Sequence, residues 1–398
     1  MEHLPLELID LIIDQLPLRD DWKRLALVSR IFLAPTQRRL FVSLELSPSS
    51  LEKRSNILFH SPALGRYIHD FSLDLNLEDR EVHGPLIRVL RPLTAVRRVT
   101  IFGDWYWPHW PRELQKSLTA VLMLPSMRCL GLRCVGVPAA LIRYALSSYA
   151  EVALQVTQID HLNRRHKFAK GGGGQSLERL VLASSSPRCT SVHTLMLNAE
   201  VMASLGCLQH LELILLQPEE AFMLPNQEGW LDGFDDIFMN CSTSLQYLTI
   251  ALEQPWAPGR LDFTLPPTLR HLSSLNIQAR LSRPDFLPFI CSVIIRLPSY
   301  TPGLEFLTVT LDELMFVSRV ARDGDRETDV DDALLQLPNF QQICFNLWPF
   351  SCGAEPGIRK MLSRANKAGL VSFDFSGRQM KRDWTWKWQD APMMYFSQ

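Results

Sequence analysis

The chain has 398 residues, 46% of them hydrophobic and 21% charged, with a formal net charge of −1. A balance so near zero argues against sequence-independent binding to nucleic acid, which needs a basic face to displace counterions. No apolar run approaches the ~20 residues that cross a bilayer, and the longest, Phe286 to Leu297, is interrupted by Pro288 and reads as a buried helix.

The opening Met-Glu-His-Leu-Pro carries an acid where a secretory signal carries bases. Eight cysteines are scattered without a CxxC pair, so the sequence offers no zinc site and needs no disulfide framework. Reduced cysteines place the chain inside the cell, in the cytoplasm, the nucleus or both. On that reading the sequon Asn240-Cys241-Ser242 is a chance match.

Residues 1–46 differ in texture from the rest of the chain. Leu8, Ile9, Ile12, Ile13 and Leu16 give a helix one apolar stripe, with Pro5 in its first turn and Pro17 ending it. A second helix opens at Asp20 or Asp21 and carries Trp22, Leu25, Val28 and Phe32 on one face. Pro35 breaks it and starts a short third helix through Leu40 and Phe41. Three helices in about forty residues bury little apolar surface alone, so this unit calls for a neighbour or a partner. Ser47-Pro48-Ser49-Ser50 then caps a helix through Phe59, giving a helical linker over residues 47–66.

From residue 67 to 398, words of the form LxxLxL alternate with helical patterns. They include Ile68-Phe71-Leu73, Val96-Val99-Ile101, Met127-Leu130-Leu132, Leu177-Leu180-Leu182, Val192-Leu195-Leu197 and Leu208-Leu211-Leu213. Leu245-Leu248-Ile250, Leu272-Leu275-Ile277, Leu304-Leu307-Val309, Phe340-Ile343-Phe345 and Leu370-Phe373-Phe375 continue the series.

About a dozen such loose triplets arise by chance in a chain of this composition, so the surroundings carry the reading. Turn leads such as Leu124-Pro125-Ser126 and Thr301-Pro302-Gly303 precede most words. Amphipathic helices lie between them: Leu114, Leu118, Val121 and Leu122; Phe286, Ile290, Val293 and Ile294; Ile358, Met361, Leu362 and Ala365. Strand, loop, helix, next strand at intervals of roughly 20–37 residues predicts an α/β, irregular leucine-rich-repeat-like solenoid. The words near 177, 192 and 208 are too close for full helices, so that stretch uses bare loops or one word is spurious. Gly171 to Gly174 form a flexible loop, without the Gly-Lys-Ser/Thr ending of a phosphate cradle.

No catalytic constellation emerges. The ten histidines form no HExxH helix, there is no GxSxG elbow, and His161 and His166 are five apart, off the i,i+4 spacing of paired ligands. The acidic run Asp323, Asp325, Glu327, Asp329, Asp331, Asp332 has Thr328 and Leu334 where a calcium loop needs glycine and glutamate, and reads as a solvated loop. The sequence therefore implies no enzyme, no cofactor and no metal.

Two aromatic clusters stand out. Trp384, Trp386 and Trp388 would share one face of a strand and cap the repeat core. Trp105, Tyr106, Trp107 and Trp110, in a proline-bounded loop, are the better candidates for an exposed substrate anchor. Strand positions beside the inward leucines, namely Arg133, Arg179, Asn198, His210, Tyr247, Asn276, Thr308, Asn346 and Asp374, show no dominant charge and name no target class.

Leu4-Pro5-Leu6-Glu7-Leu8-Ile9, then Ile12, Leu16-Pro17, Arg24-Leu25-Ala26-Leu27-Val28-Ser29-Arg30 and Phe32, resemble the F-box. The departures are Phe32, where that family most often has tryptophan, and Trp22, in a place usually aliphatic. Residues Asn56 to Ile68 and Leu122 to Leu130 resemble expanded fungal F-box proteins with degenerate leucine-rich repeats.

The resemblance implies a three-helix F-box over residues 1–46 that docks onto the Skp adaptor of a cullin-based ubiquitin ligase. The repeats would then hold an unknown protein substrate, with no nucleic acid or membrane involved. It places Leu4, Pro5, Leu8, Ile12 and Leu16 at or beside the adaptor contact. Leu25, Val28 and Phe32 belong either to that contact or to internal packing. The alternative is a repeat scaffold whose N-terminal helices merely cap its core and which has no ligase role.

Overall fold

A computed structural model describes residues 5–16, 18–74, 80–155, 157–160, 176–184, 199–215, 235–252, 269–279, 286–311, 327–347 and 355–375. The chain divides into two units, Met1–Tyr149 with Thr157–Gly174, and Ala150–Val156 with Gln175–Gln398. Both are α/β and built on open, parallel sheet.

The first unit opens with α1 (Leu6–Asp14), α2 (Arg19–Val28) and α3 (Arg30–Leu40). Then come β1 (Ser43–Leu46), α4 (Pro48–His60), β2 (Asp70–Asp74), α5 (His83–Leu90) and β3 (Arg98–Tyr106). They are followed by α6 (Arg112–Leu122), β4 (Cys129–Pro138) and α7 (Ala139–Ser148). Strand β1 pairs with β2, β2 with β3 and β3 with β4, all parallel.

The second unit starts at β5 (Glu151–Gln155), and the chain returns to the first for β6 (Gln158–Asp160) on the edge of β4. The second unit continues with β7 (Arg179–Ser184), α8 (Ala199–Leu205), β8 (His210–Leu215), α9 (Asp235–Cys241), β9 (Tyr247–Leu252) and β10 (Ser274–Ala279). It ends with α10 (Phe286–Tyr300), β11 (Phe306–Leu311), α11 (Glu327–Gln336), β12 (Gln342–Leu347), α12 (Glu355–Met361), α13 (Ser363–Lys367) and β13 (Val371–Asp374). Its strands pair parallel in chain order, β5-β7-β8-β9-β10-β11-β12-β13.

The register turns the apolar words into columns. Leu180, Leu211, Leu248, Leu275, Leu307 and Ile343 are successive partners, as are Leu182, Leu213, Ile250, Ile277, Val309 and Phe345. All are buried, and so are the leading Leu177, Leu208, Leu245, Leu272 and Leu304, each at 0% exposure. Alternation on a strand sends the residues between them to the opposite face.

Just before most strands one carbonyl accepts two N–H groups from the start of the next strand in its unit. In the first unit His69 O takes Arg97 N (2.7 Å) and Arg98 N (3.0 Å). In the second, Glu178, Gln209, Gln246, Ser273 and Glu305 do the same in turn. The serine ahead of the leading apolar residue adds a bond in both units: Ser126 Oγ donates to Val96 O (2.7 Å) and Ser244 Oγ to Leu208 O (2.8 Å). Gly303 holds the equivalent place before Leu304, where a Cβ would lie 2.4 Å from Arg270 O, so the close approach admits only glycine.

Helix α6 buries Leu114, Leu118, Val121 and Leu122, the expected stripe, and α10 buries Ile290, Val293 and Ile294. The stripe Ile358, Met361, Leu362 and Ala365 is buried but divided between α12 and α13.

Several expectations are corrected. The second and third helices meet at Ser29 and not at Pro35, because extended Ser29 accepts from Ile31 N and caps α3. Pro35 lies inside α3, next to Thr36, whose hydroxyl donates to Phe32 O (2.6 Å). The words near 177 and 208 are separated by a helix after all, for β7 pairs directly with β8 while α8 precedes β8. The word Val192-Leu195-Leu197 lies outside the described residues. Strand β5 carried no leucine word because its lead is Tyr149, whose buried hydroxyl donates to Leu122 O.

The acidic run is helix from Glu327 onward, with Val330, Ala333 and Leu334 buried. Asp331, 2% exposed, accepts from Arg364 N (2.8 Å) and Ala365 N (3.0 Å) and so caps α13. Asp323 and Asp325 lie outside the described residues. Asp331→Ala strands the buried Ala365 N–H and the part-buried Arg364 N–H and should cost about 1–3 kcal/mol in a urea titration, whereas Asp329→Ala, on an exposed residue of the same helix, should leave the midpoint unchanged.

Candidate partner-docking surfaces

Helix α1 is anchored from one side only. Ile9 and Ile13, one turn apart, are 3% and 0% exposed, while Leu8 and Ile12 beside them are 46% and 42% exposed. Polar ties hold the helix in place. Arg39 of α3 bonds Asp10 Oδ1 (2.7 Å) and Asp14 Oδ1 (2.6 Å), and its Nη2 also donates to Asp10 O. Desolvation works against the Arg39 charge, but its hydrogen bonds to the two carboxylates outweigh it and raise its pKa. Trp22 Nε1 donates to Ile13 O (3.2 Å) and Leu16 O (3.1 Å) at the C-terminal end of α1. An indole N–H there satisfies carbonyls that the helix cannot bond itself, a task no aliphatic side chain performs.

These ties fix the helices without covering them. Among the described residues, eighteen large apolar side chains are exposed, and nine of these lie between Leu6 and Leu33: Leu6, Leu8, Leu11, Ile12, Leu18, Leu27, Val28, Ile31 and Leu33. Leu27 and Val28 are the extremes, at 88% and 73%. Of the expected contact residues, Pro5, Leu8, Ile12 and Val28 are exposed, and Leu16, Leu25 and Phe32 are half-buried; Leu4 lies outside the described residues. Sequence reasoning passed over Leu11 and Leu27, which fall off the stripe chosen from helical spacing.

The aromatic loop after β3 behaves otherwise. Trp107 is 0% and Trp110 6% exposed, their rings 4.8 Å apart, and Gln115 Nε2 bonds both of their carbonyls at 3.0 Å. The expected exposed anchor is therefore corrected for these two indoles, which are packed into the first unit. Tyr106 stays exposed, edge-on to His109, and the side chain of Trp105 lies outside the described residues, as do Trp384, Trp386 and Trp388.

On the outer face of the second unit's sheet, Arg179, His210, Tyr247, Ser274, Phe306 and Gln342 form one register row. Val181, Glu212, Thr249, Asn276, Thr308 and Cys344 form the next row on that face. His210 stacks on Tyr247 at 4.3 Å with 5° between the planes. At the strand starts an open groove of 600 Å³ is lined by Gln209, Gln246, Ser273 and Glu305 among others. Asn198 lies outside the described residues; Asn346 and Asp374 face each other across β12 and β13.

Among the described residues no three His, Cys, Asp or Glu side chains converge as a metal site, and no helix is long and apolar enough to cross a membrane. Burial pushes the Cys241 thiol up to about 12, which leaves it protonated and unreactive at neutral pH. No family model matches the chain, and no curated protein matches it.

Burial, assisted by the nearby Arg179 charge, pushes the His210 imidazole down to about 4 from its ordinary 6.5. Between those values the unfolded chain binds a proton that the folded chain refuses. Stability from this site is therefore complete above 6.5 and is lost as pH falls toward 4. Urea midpoints measured across that window should fall for the native protein and fall less for His210→Phe, which keeps a ring on Tyr247 but cannot titrate.

Proposed function

We propose that the chain is a non-catalytic substrate-recognition adaptor of a Skp-cullin-F-box ubiquitin ligase. Its first three helices dock to the Skp adaptor, and its leucine-rich-repeat-like strands present a protein target. The observation that carries this reading is the concentration of exposed apolar side chains between Leu6 and Leu33. Contiguous apolar surface on a soluble domain marks an interaction site, and an apolar helix pair lying in a partner's groove is a recurring mode of recognition.

The resemblance of Leu4 through Phe32 to the F-box names the partner. The repeat scaffold without a ligase role requires the stripe of residues 8–16 to be consumed within the chain. Ile9 and Ile13 are consumed; Leu8, Leu11 and Ile12 are not. Stacked columns of buried leucine on parallel strands, each strand beside the one before it, support the repeat reading of the remainder.

The double variant Leu8→Asp, Ile12→Asp tests the docking. Both side chains are more than two-fifths exposed, so the fold should persist by circular dichroism while co-purification with the Skp adaptor falls by about a hundredfold, the loss of two interface anchors. Unchanged co-purification would remove the adaptor assignment. The control Ile57→Asp, at an exposed residue of α4, should bind normally.

A further inference from the structure

A cavity of 310 Å³ lies in the first unit, between the C-terminal end of α5 and one face of α6. Its floor is Leu90, Leu93 and Val121, each no more than 3% exposed. Lys116, Ser117 and Ala120 recur at the spacing of one helix face and line it from α6. Arg91, the first residue after α5, lines it from the other helix. Lys116, Ala120 and Arg91 are exposed, so the apolar floor sits under an accessible rim.

Both charged residues that line the cavity are cationic, and among the described residues no acid lines it. Arg91 joins no ion pair among the described residues. Lys116 meets Glu113 at 3.0 Å, but both side chains are largely exposed, and a pair of this kind holds its lysine weakly. Lysine and arginine also carry aliphatic stems, which extend an apolar lining up to a charged head.

The lining selects an occupant. An apolar floor under a cationic rim complements a molecule with an aliphatic body and an anionic head. A peptide fits less well, because its buried amide groups need partners. Leu90 O and Val121 O already accept from Leu93 N and Leu124 N, and Ser117 is the one neutral polar side chain among the described lining residues. The volume sets the length. At ~30 Å³ for each water-sized group, 310 Å³ takes about ten heavy atoms, the size of octanoate with its carboxylate.

We propose that the cavity between α5 and α6 binds a medium-chain fatty acid, its alkyl chain on Leu90, Leu93 and Val121 and its carboxylate held by the charges of Arg91 and Lys116. The site lies apart from α1, α2 and α3 and does not depend on the adaptor reading.

Octanoate, titrated into the full-length chain and followed by ligand-observed NMR, is the probe, with octanol, octylamine and N-acetylleucine beside it. Octanoate should bind saturably, and each of the other three at least about tenfold more weakly, for want of the anionic head or of the long chain. From butanoate to octanoate the affinity should rise about fourfold per methylene, then level off toward dodecanoate as the cavity fills. Arg91→Gln together with Lys116→Gln should weaken octanoate at least about tenfold and leave octanol unchanged. Ala120→Trp, which fills the cavity from its exposed rim, should weaken both. Circular dichroism should stay native in these variants. The Leu8→Asp, Ile12→Asp variant should bind octanoate as the native chain does, which separates the cavity from the exposed apolar helices.

Octanol or octylamine binding the native chain as tightly as octanoate would overturn the proposal. So would tighter binding of N-acetylleucine, which points to a protein C-terminus instead. Undiminished octanoate affinity in a folded Arg91→Gln, Lys116→Gln or Ala120→Trp protein, or its loss in Leu8→Asp, Ile12→Asp, would do the same.

Discussion

The carbonyl that accepts two N–H groups from the next repeat sets the geometry on which each unit depends. A buried backbone N–H without a partner costs about as much as a lost hydrogen bond, and where the chain leaves a helical segment for a strand, two such groups arrive together. Glu178, Gln209, Gln246, Ser273 and Glu305 each supply one oxygen to both. Because the shared carbonyl follows the leading leucine, each new leucine settles beside the previous one, and the columns of the core follow from the backbone. Ser126 and Ser244 reinforce that placement, and Gly303 permits it where its backbone comes close to Arg270 O.

This arrangement explains what the sequence disclosed. Most words LxxLxL were legible because their three apolar positions are the three that the geometry buries, although in the last Leu370 and Phe373 are half-buried and Phe375 is exposed. The helices at Leu114 and Ile290 were legible because one face of each meets the core. Boundaries were less so. Ser29 ends one helix and starts another through a hydroxyl that spacing does not reveal, while Pro35, the stronger local signal, is tolerated inside α3. Tyr149 hid β5 by putting a phenol where other repeats have an aliphatic lead. Asp331 looked like one solvated acid among several, because its partners Arg364 and Ala365 lie more than thirty residues on.

The candidate surfaces divide in the same way. Exposed apolar residues on α1 and α2 were foreseen from a stripe too long for three short helices to consume, and the Arg39 guanidinium and the Trp22 indole hold α1 from behind. The tryptophans of the loop after β3 misled, because aromatic density in sequence does not distinguish an anchor from a plug. Tyr247 and Phe306, 59 residues apart in sequence, share a row, one on each side of Ser274, only through the register of β9, β10 and β11.

That register bears on folding as well as binding. Every strand described within a unit lies beside the strand that precedes it in that unit. Paired positions are 22 residues apart between β4 and β6, as from Val137 to Ile159, and otherwise between 27, as from Leu248 to Leu275, and 37, as from Leu211 to Leu248. Loop-closure entropy grows only with the logarithm of loop length, so each strand joins at nearly constant entropic expense however many precede it. Contact order relative to length therefore falls as repeats accumulate. Such a chain can lengthen by duplication without becoming a slower folder, and its assembly can begin at whichever pair of repeats first closes.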